Sequence, residues 1–135
     1  MKYLLDTHIL LWILTEDDKL PSKVNGLIKV TGNSTYYSSV SMWEIVLKQL
    51  THPDKITNIP PQELASMCEE ANILQLTLKA RHTYLLKTLS RSEDAPPHND
   101  PFDRILIAQA KSENMLFLTH DDTLSYYNEP CIICV

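Results

Sequence analysis

The feature that most constrains this chain is a repeated hand-over, in which a short apolar, strand-like run gives way to a helical segment along almost all of its 135 residues. Lys2-Tyr-Leu-Leu-Asp6 precedes the apolar helix Ile9-Leu-Leu-Trp-Ile-Leu14, and Tyr36-Tyr-Ser-Ser-Val40 precedes a helix that opens at Ser41-Met-Trp-Glu44. Ile73-Leu-Gln-Leu76 leads into a helix over 79–89, Met115-Leu-Phe-Leu-Thr119 into a short one over 121–127, and Cys131-Ile-Ile-Cys-Val135 reads as a last strand. Parallel strands need crossover connections, which are right-handed and usually helical. The alternation therefore predicts an α/β fold in three layers, with a central, mainly parallel sheet of about five strands. No composition break divides the chain, so one domain over 1–135 is expected.

Further helices are expected from Pro21 toward Gly32-Asn33, from Pro60-Pro61 to about Ala71, and from Pro101 to Asn114. Trp43, Val46, Leu47 and Leu50 recur at helical spacing and are expected on a buried stripe. Trp12, Phe102 and Phe117 likewise fall at expected core positions. Arg91-Ser-Glu-Asp-Ala-Pro-Pro-His98 is the one polar, proline-bearing loop of any length and is expected to be mobile; His98 and His120 stand near enough to acids for a zinc or general-acid role, but are expected as exposed loop histidines.

Four acids stand at the hand-over points: Asp6, Glu44, Asp103 and Asp121. In open parallel sheets ligands bind outside the carboxyl ends of the strands, near the reversal of strand order, and there these four carboxylates would meet. Each also has a structural explanation. Ser41-x-x-Glu44 and Thr119-x-x-Asp122 have the form of capping boxes, and Asp100-Pro101 that of an N-cap with Asp103 in the first turn. Such a cap is worth about 1 kcal/mol. Capping accounts for any one acid, but not for four on one edge. Asp6 lies between apolar runs with no lysine or arginine near it in sequence, and a buried charge needs a partner. Two carboxylates about 4 Å apart repel by roughly 4 kcal/mol at an effective dielectric near 20. A close cluster therefore protonates, spreads or binds a cation. Oxygen ligands without thiolate favour Mg²⁺ or Mn²⁺ over zinc.

A net charge of −5 argues against a polyanionic partner, unless part of the acidic charge is cancelled by bound cations. Lys48, Lys55, Lys79, Arg81, Lys87 and Arg91 then remain for a phosphate backbone. Three cysteines, Cys68, Cys131 and Cys134, form no disulfide framework and are expected as buried thiols. The longest apolar run near the start, Ile9 to Leu14, is far short of the roughly 20 residues that span a bilayer, so a cytoplasmic protein without a membrane partner is expected.

The sequence resembles a PIN domain, and more narrowly the toxin of a VapC-type toxin–antitoxin pair. The segments that carry the likeness are Leu4-Leu-Asp-Thr-His-Ile-Leu-Leu-Trp12, Ser41-Met-Trp-Glu-Ile45, His98-Asn-Asp-Pro-Phe-Asp-Arg-Ile-Leu-Ile-Ala-Gln-Ala110 and Leu118-Thr-His-Asp121. The resemblance implies a metal-dependent endoribonuclease that hydrolyses RNA phosphodiester bonds, usually dimeric and inhibited by a small antitoxin. It places Asp6, Glu44, Asp103 and Asp121 as the catalytic quartet, with Asp6, Asp103 and Asp121 on Mg²⁺ or Mn²⁺. Asp103 matches the third acid better than Asp100, which would then cap the helix or support a ligand. Thr7 and Thr119 are able to donate to carboxylates or phosphate, or serve as turn and cap hydroxyls. Arg104 is open to two uses, holding a phosphate or pairing with a nearby acid.

Two rivals stand beside this reading. A phosphatase or phospho-receiver would use the aspartate after the first strand, but Asp6-Thr-His8 carries no second aspartate two residues on. A non-catalytic PIN-like interaction module regulated by a protein partner would keep the acids only as caps.

Overall fold

The computed structural model describes residues 1–135. Its sheet consists of β1 (Lys2–Leu5), β2 (Ser34–Ser38), β3 (Ile73–Leu76), β4 (Leu116–Thr119) and β5 (Ile132–Cys134), all parallel, in the order β3-β2-β1-β4-β5. The helices are α1 (Thr7–Leu14), α2 (Ser22–Ile28), α3 (Ser39–Thr51), α4 (Pro61–Glu70), α5 (Ala80–Tyr84) and α6 (Pro101–Glu113). The chain winds outward from β1 to β3, then crosses back to lay β4 on the other side of β1. Strand order therefore reverses between β1 and β4, where a crevice opens at the carboxyl ends of the strands.

Side chains on a strand alternate between faces, and the two cores follow that alternation. Tyr3, Leu5, Tyr37 and Leu118 face α1, α2 and α4 through Ile9, Leu10, Val24, Leu64 and Cys68. Leu4 and Phe117 face α6 through Leu106, Ile107 and Ala110, joined by Leu124 and Tyr127. Each large apolar side chain so buried contributes about 1.5–3 kcal/mol. The three-layer expectation holds, and β1 and β4 are clamped from both sides where they deliver their last residues to the crevice.

Several local expectations are corrected. α3 begins at Ser39, not Ser41, because Ser38 caps it by accepting from the Val40 amide at 3.0 Å. The Ser41–Glu44 capping box therefore does not form. Asp121, not Thr119, caps the short 3-10 turn Asp122–Tyr126. The helix expected over 79–89 divides into α5 and a 3-10 turn, Leu85–Thr88. α2 stops at Ile28, and Gly32, at φ 94°, supplies the left-handed turn before β2. Trp43, Leu47 and Leu50 do not face the core: Trp43 is 61% exposed and Leu50 76%. The face of α3 that packs inward carries Val40, Ser41, Glu44 and Ile45. Phe117 is buried as expected, whereas Trp12 and Phe102 are only partly covered.

The loop 91–98 is tied down rather than free. Arg91 donates to the carbonyls of Thr123 and Pro96, pairs with Tyr127 as an isolated bridge, and lies 4.6 Å over the Tyr127 ring. All three cysteines are free thiols: Cys68 is buried, and Cys131 and Cys134 are partly covered. Burial pushes the Cys68 thiol up to about 11, which makes it a poor nucleophile.

Candidate active site

The crevice at the sheet's reversal point is a cleft of about 290 Å³, and Asp6, Glu44, Asp103 and Asp121 all line it, with Asp100 and Lys48 at its margin. Four separate hand-overs deliver these acids. Asp6 is the residue between β1 and α1, Glu44 sits in the second turn of α3, Asp103 in the first turn of α6, and Asp121 just past β4. Asp6 and Glu44 are buried, Asp103 is partly covered and Asp121 is exposed.

Hydroxyl groups hold the two buried acids. Asp6 Oδ1 accepts from the Thr7 amide at 2.7 Å, and Oδ2 from Thr119 Oγ1 at 2.7 Å. Thr119 Oγ1 also accepts from the Asp121 amide at 3.1 Å, so one hydroxyl couples two of the acids. Thr7 Oγ1 lies 2.7 Å from Glu44 Oε1 and 2.9 Å from Ser41 Oγ. A carboxylate only accepts, so Thr7 gives its single proton to Glu44 and takes one from Ser41. Thr7 and Thr119 thus act on carboxylates. Glu44 Oε2 pairs with Lys48 at 2.9 Å, an i, i+4 contact on α3. The pairing was not drawn from the sequence, in which the i, i+4 spacing is the signal that could have placed Lys48 beside the cleft.

Asp100 caps α6, its Oδ1 accepting from the Phe102 and Asp103 amides at 2.8 and 3.2 Å. Asp103 Oδ2 lies 3.2 Å from His98 Nε2, and Asp121 Oδ1 accepts from the amide and hydroxyl of Thr123. The remaining oxygens, Asp100 Oδ2, Asp103 Oδ1 and Asp121 Oδ2, have no hydrogen-bond partner in the protein. No three of these side chains are already drawn together into a closed ligand cage. The donor set nevertheless suits a hard divalent ion: it is all oxygen, partly uncommitted, and excessively negative.

Burial, joined by the charges of Asp6, Asp100, Glu44 and Asp121, pushes the Asp103 carboxyl up to about 8. Burial also raises Asp6, against the opposing hydrogen bonds from Thr119 and Thr7. Two carboxyls held above their ordinary range in one cleft mark a site short of positive charge.

Arg104 turns away from the acids. It donates to Tyr127 Oη at 3.3 Å and to the Leu86 carbonyl at 3.2 Å, so the expected pairing with a nearby acid is not made. His98 is not a free loop histidine but is packed between Asp103 and Tyr127; burial, then the charge of Arg91, lowers its pKa. The contact was hidden in the sequence because Tyr127 lies far along the chain. His120 is exposed as expected; it and His8 pack on the Trp12 ring, with centroids 5.5 and 6.2 Å away, forming an aromatic rim on the cleft. Beyond the rim a groove of about 550 Å³ runs past Lys19, Lys48 and Lys55. Among the other cations expected to meet phosphate, Arg81 is paired with Glu113 at 2.7 Å and Arg91 is spent on carbonyls.

Fold and cleft together define a doubly wound parallel α/β protein with a carboxylate-lined site at the reversal of its sheet. The PIN domain model matches residues 3–130, and the chain belongs to the PIN domain family. Among solved structures it is similar to VapBC2 from Rickettsia felis, determined bound to a DNA fragment from their promoter, with a TM-score of 0.65 and 15% identity. That match covers 100% of this chain and 98% of the other. It is also similar to VapBC-1 from nontypeable Haemophilus influenzae, with a TM-score of 0.55, 16% identity, and coverage of 90% and 87%. At these identities the likeness is one of fold. Comparison with curated protein sequences gives no match. No helix is long and apolar enough to cross a membrane.

Proposed function

We propose that this protein is a metal-dependent endoribonuclease that hydrolyses RNA phosphodiester bonds and acts as the VapC-type toxin of a toxin–antitoxin pair. The observation that carries the reading is the convergence of Asp6, Glu44, Asp103 and Asp121 on one cleft at the reversal of a parallel sheet. Membership of the PIN family and the fold shared with VapBC complexes support it.

Asp6, Asp103 and Asp121 would hold Mg²⁺ or Mn²⁺, with Thr7 and Thr119 fixing the Asp6 carboxylate. Such an ion supplies Lewis-acid activation of water and neutralises charge on the scissile phosphate. Glu44, anchored by Thr7 and Lys48, orients the attacking water. Lys48 stands where the acidic cleft meets the lysine-bearing groove, so a phosphate chain following that groove reaches the carboxylates at Lys48. The aromatic rim at Trp12 is placed to support an unstacked base.

A small antitoxin and a second copy of the chain are the proposed protein partners. The exposed apolar stripe of Trp43, Leu47 and Leu50 supports a role for protein contacts, since apolar side chains clustered on one helix face mark interaction surfaces. The test is incubation of the purified, partner-free protein with total RNA and Mg²⁺ or Mn²⁺. Discrete fragments that disappear with chelator are expected; intact RNA under both metals favours the interaction module instead.

A further inference from the structure

We propose that His98 is a positioning residue for Asp103, holding that carboxylate in the cleft through a hydrogen-bond chain of one polarity that starts at Arg104 and passes through Tyr127. The consequence for metal binding rests on the reading of Asp103 as a ligand; the polarity of the chain does not.

The geometry is continuous. Arg104 Nη1 lies 3.3 Å from Tyr127 Oη, Tyr127 Oη 2.7 Å from His98 Nδ1, and His98 Nε2 3.2 Å from Asp103 Oδ2. A guanidinium has donors only, so Tyr127 Oη accepts from Arg104 and keeps its own proton to give. It gives that proton to His98 Nδ1. A neutral imidazole that accepts at Nδ1 carries its hydrogen on Nε2, where it faces a carboxylate oxygen that only accepts. The reverse polarity would aim the bare Nε2 lone pair at Asp103 Oδ2, setting two acceptors against each other. With the imidazole neutral and Asp103 ionised, one arrangement alone satisfies every contact.

Elements distant in sequence hold the chain in place. Arg104 Nη2 is anchored on the Leu86 carbonyl, and the Tyr127 ring lies under the Arg91 guanidinium at 4.6 Å. The His98 and Tyr127 rings meet edge to face, with centroids 5.5 Å apart and planes at 89°. Arg91 also binds the Pro96 carbonyl, which fixes the loop two residues before His98. Asp103 Oδ2 is thereby committed to His98, and Oδ1 is the oxygen left for a ligand. An outer partner that orients a ligating group is typically worth about 10–100-fold in metal affinity or activity.

The first test needs neither a variant nor a metal. Long-range ¹H–¹⁵N correlation spectra of the metal-free protein at about pH 9.5, above the Asp103 value of about 8, should show His98 as the Nε2–H tautomer. The Nδ1–H tautomer would overturn the proposal. Mn²⁺ calorimetry supplies the second. His98→Ala should bind about tenfold more weakly than the parent, and His98→Gln, which keeps an N–H donor, should recover most of that loss. A His98→Ala affinity within about twofold of the parent would overturn the positioning role. If the parent itself takes no Mn²⁺, the reading of the cleft as a metal centre falls, and the tautomer still decides the His98–Asp103 contact.

Discussion

Asp103 shows at the scale of one residue how folding and chemistry conflict. Its carboxyl, pushed up to about 8 chiefly by burial, binds more protons folded than unfolded between its ordinary value and 8. The stability it contributes is therefore whole below about pH 4 and is lost as pH rises through about 8. Asp103→Asn removes the titrating charge. Its thermal midpoint relative to the metal-free parent should rise steadily between about pH 5 and pH 9, reaching a gain of several degrees. A difference that stays flat with pH would contradict the assignment. A divalent ion entering the cleft must displace the same proton. Calorimetry of Mg²⁺ binding near pH 7, in buffers of different ionisation enthalpy, should register about one proton released per ion. Asp100, three residues earlier, caps α6. Its oxygen serves amides at the start of α6, so Asp100→Ala should cost about 1 kcal/mol in urea unfolding and leave Mn²⁺ binding detectable.

The elements were legible where a local signal decides them and illegible where distant contacts do. Strands β1, β3 and β4 stand out as short apolar runs bounded by turn or cap residues, and Asp100-Pro101 announces the start of α6. The start of α3 shifted by two residues and its cap by three because Ser38, Ser39 and Ser41 are all competent caps by type. The buried face of α3 was misread for a related reason: the helix has an apolar stripe at Trp43, Leu47 and Leu50 and a second, more polar face at Ser41, Glu44 and Ile45. Periodicity finds the first; only the position of the acidic cleft makes the second the inward one. This inversion predicts contrasting costs. Leu50→Lys should leave unfolding free energy within about 0.5 kcal/mol of the parent, while Ile45→Ala should lose about 2–5 kcal/mol. Urea denaturation decides it, and a large loss at Leu50 would show that stripe to be packed in solution. The four acids were legible as candidates by residue type and place, but the threonine hydroxyls that join them, and the His98–Tyr127 contact, depend on tertiary pairing that spacing does not encode.

At the scale of the whole molecule, strand order turns acids spread from position 6 to position 121 into one site. β1 and β4 are neighbours, with Leu5 opposite Leu118, so Asp6 and Thr119 emerge side by side and the amide of Asp121 is held by the same hydroxyl that holds Asp6. α3 and α6 cross the same end of the sheet and add Glu44 and Asp103. The molecule keeps a net charge of −5, yet the lysines at 19, 48 and 55 line a groove leading to the acids. Repulsion of a polyanion by the whole is thus offset locally where a phosphate chain would run. The central claim is that the cleft performs metal-dependent cleavage of RNA, and the most direct measurement is digestion of total RNA by the purified, partner-free protein and by Asp6→Asn. With Mg²⁺ or Mn²⁺ the parent should give discrete fragments, and both chelator and the variant should abolish them. Intact RNA from folded parent protein, or equal cleavage by Asp6→Asn, would contradict the account.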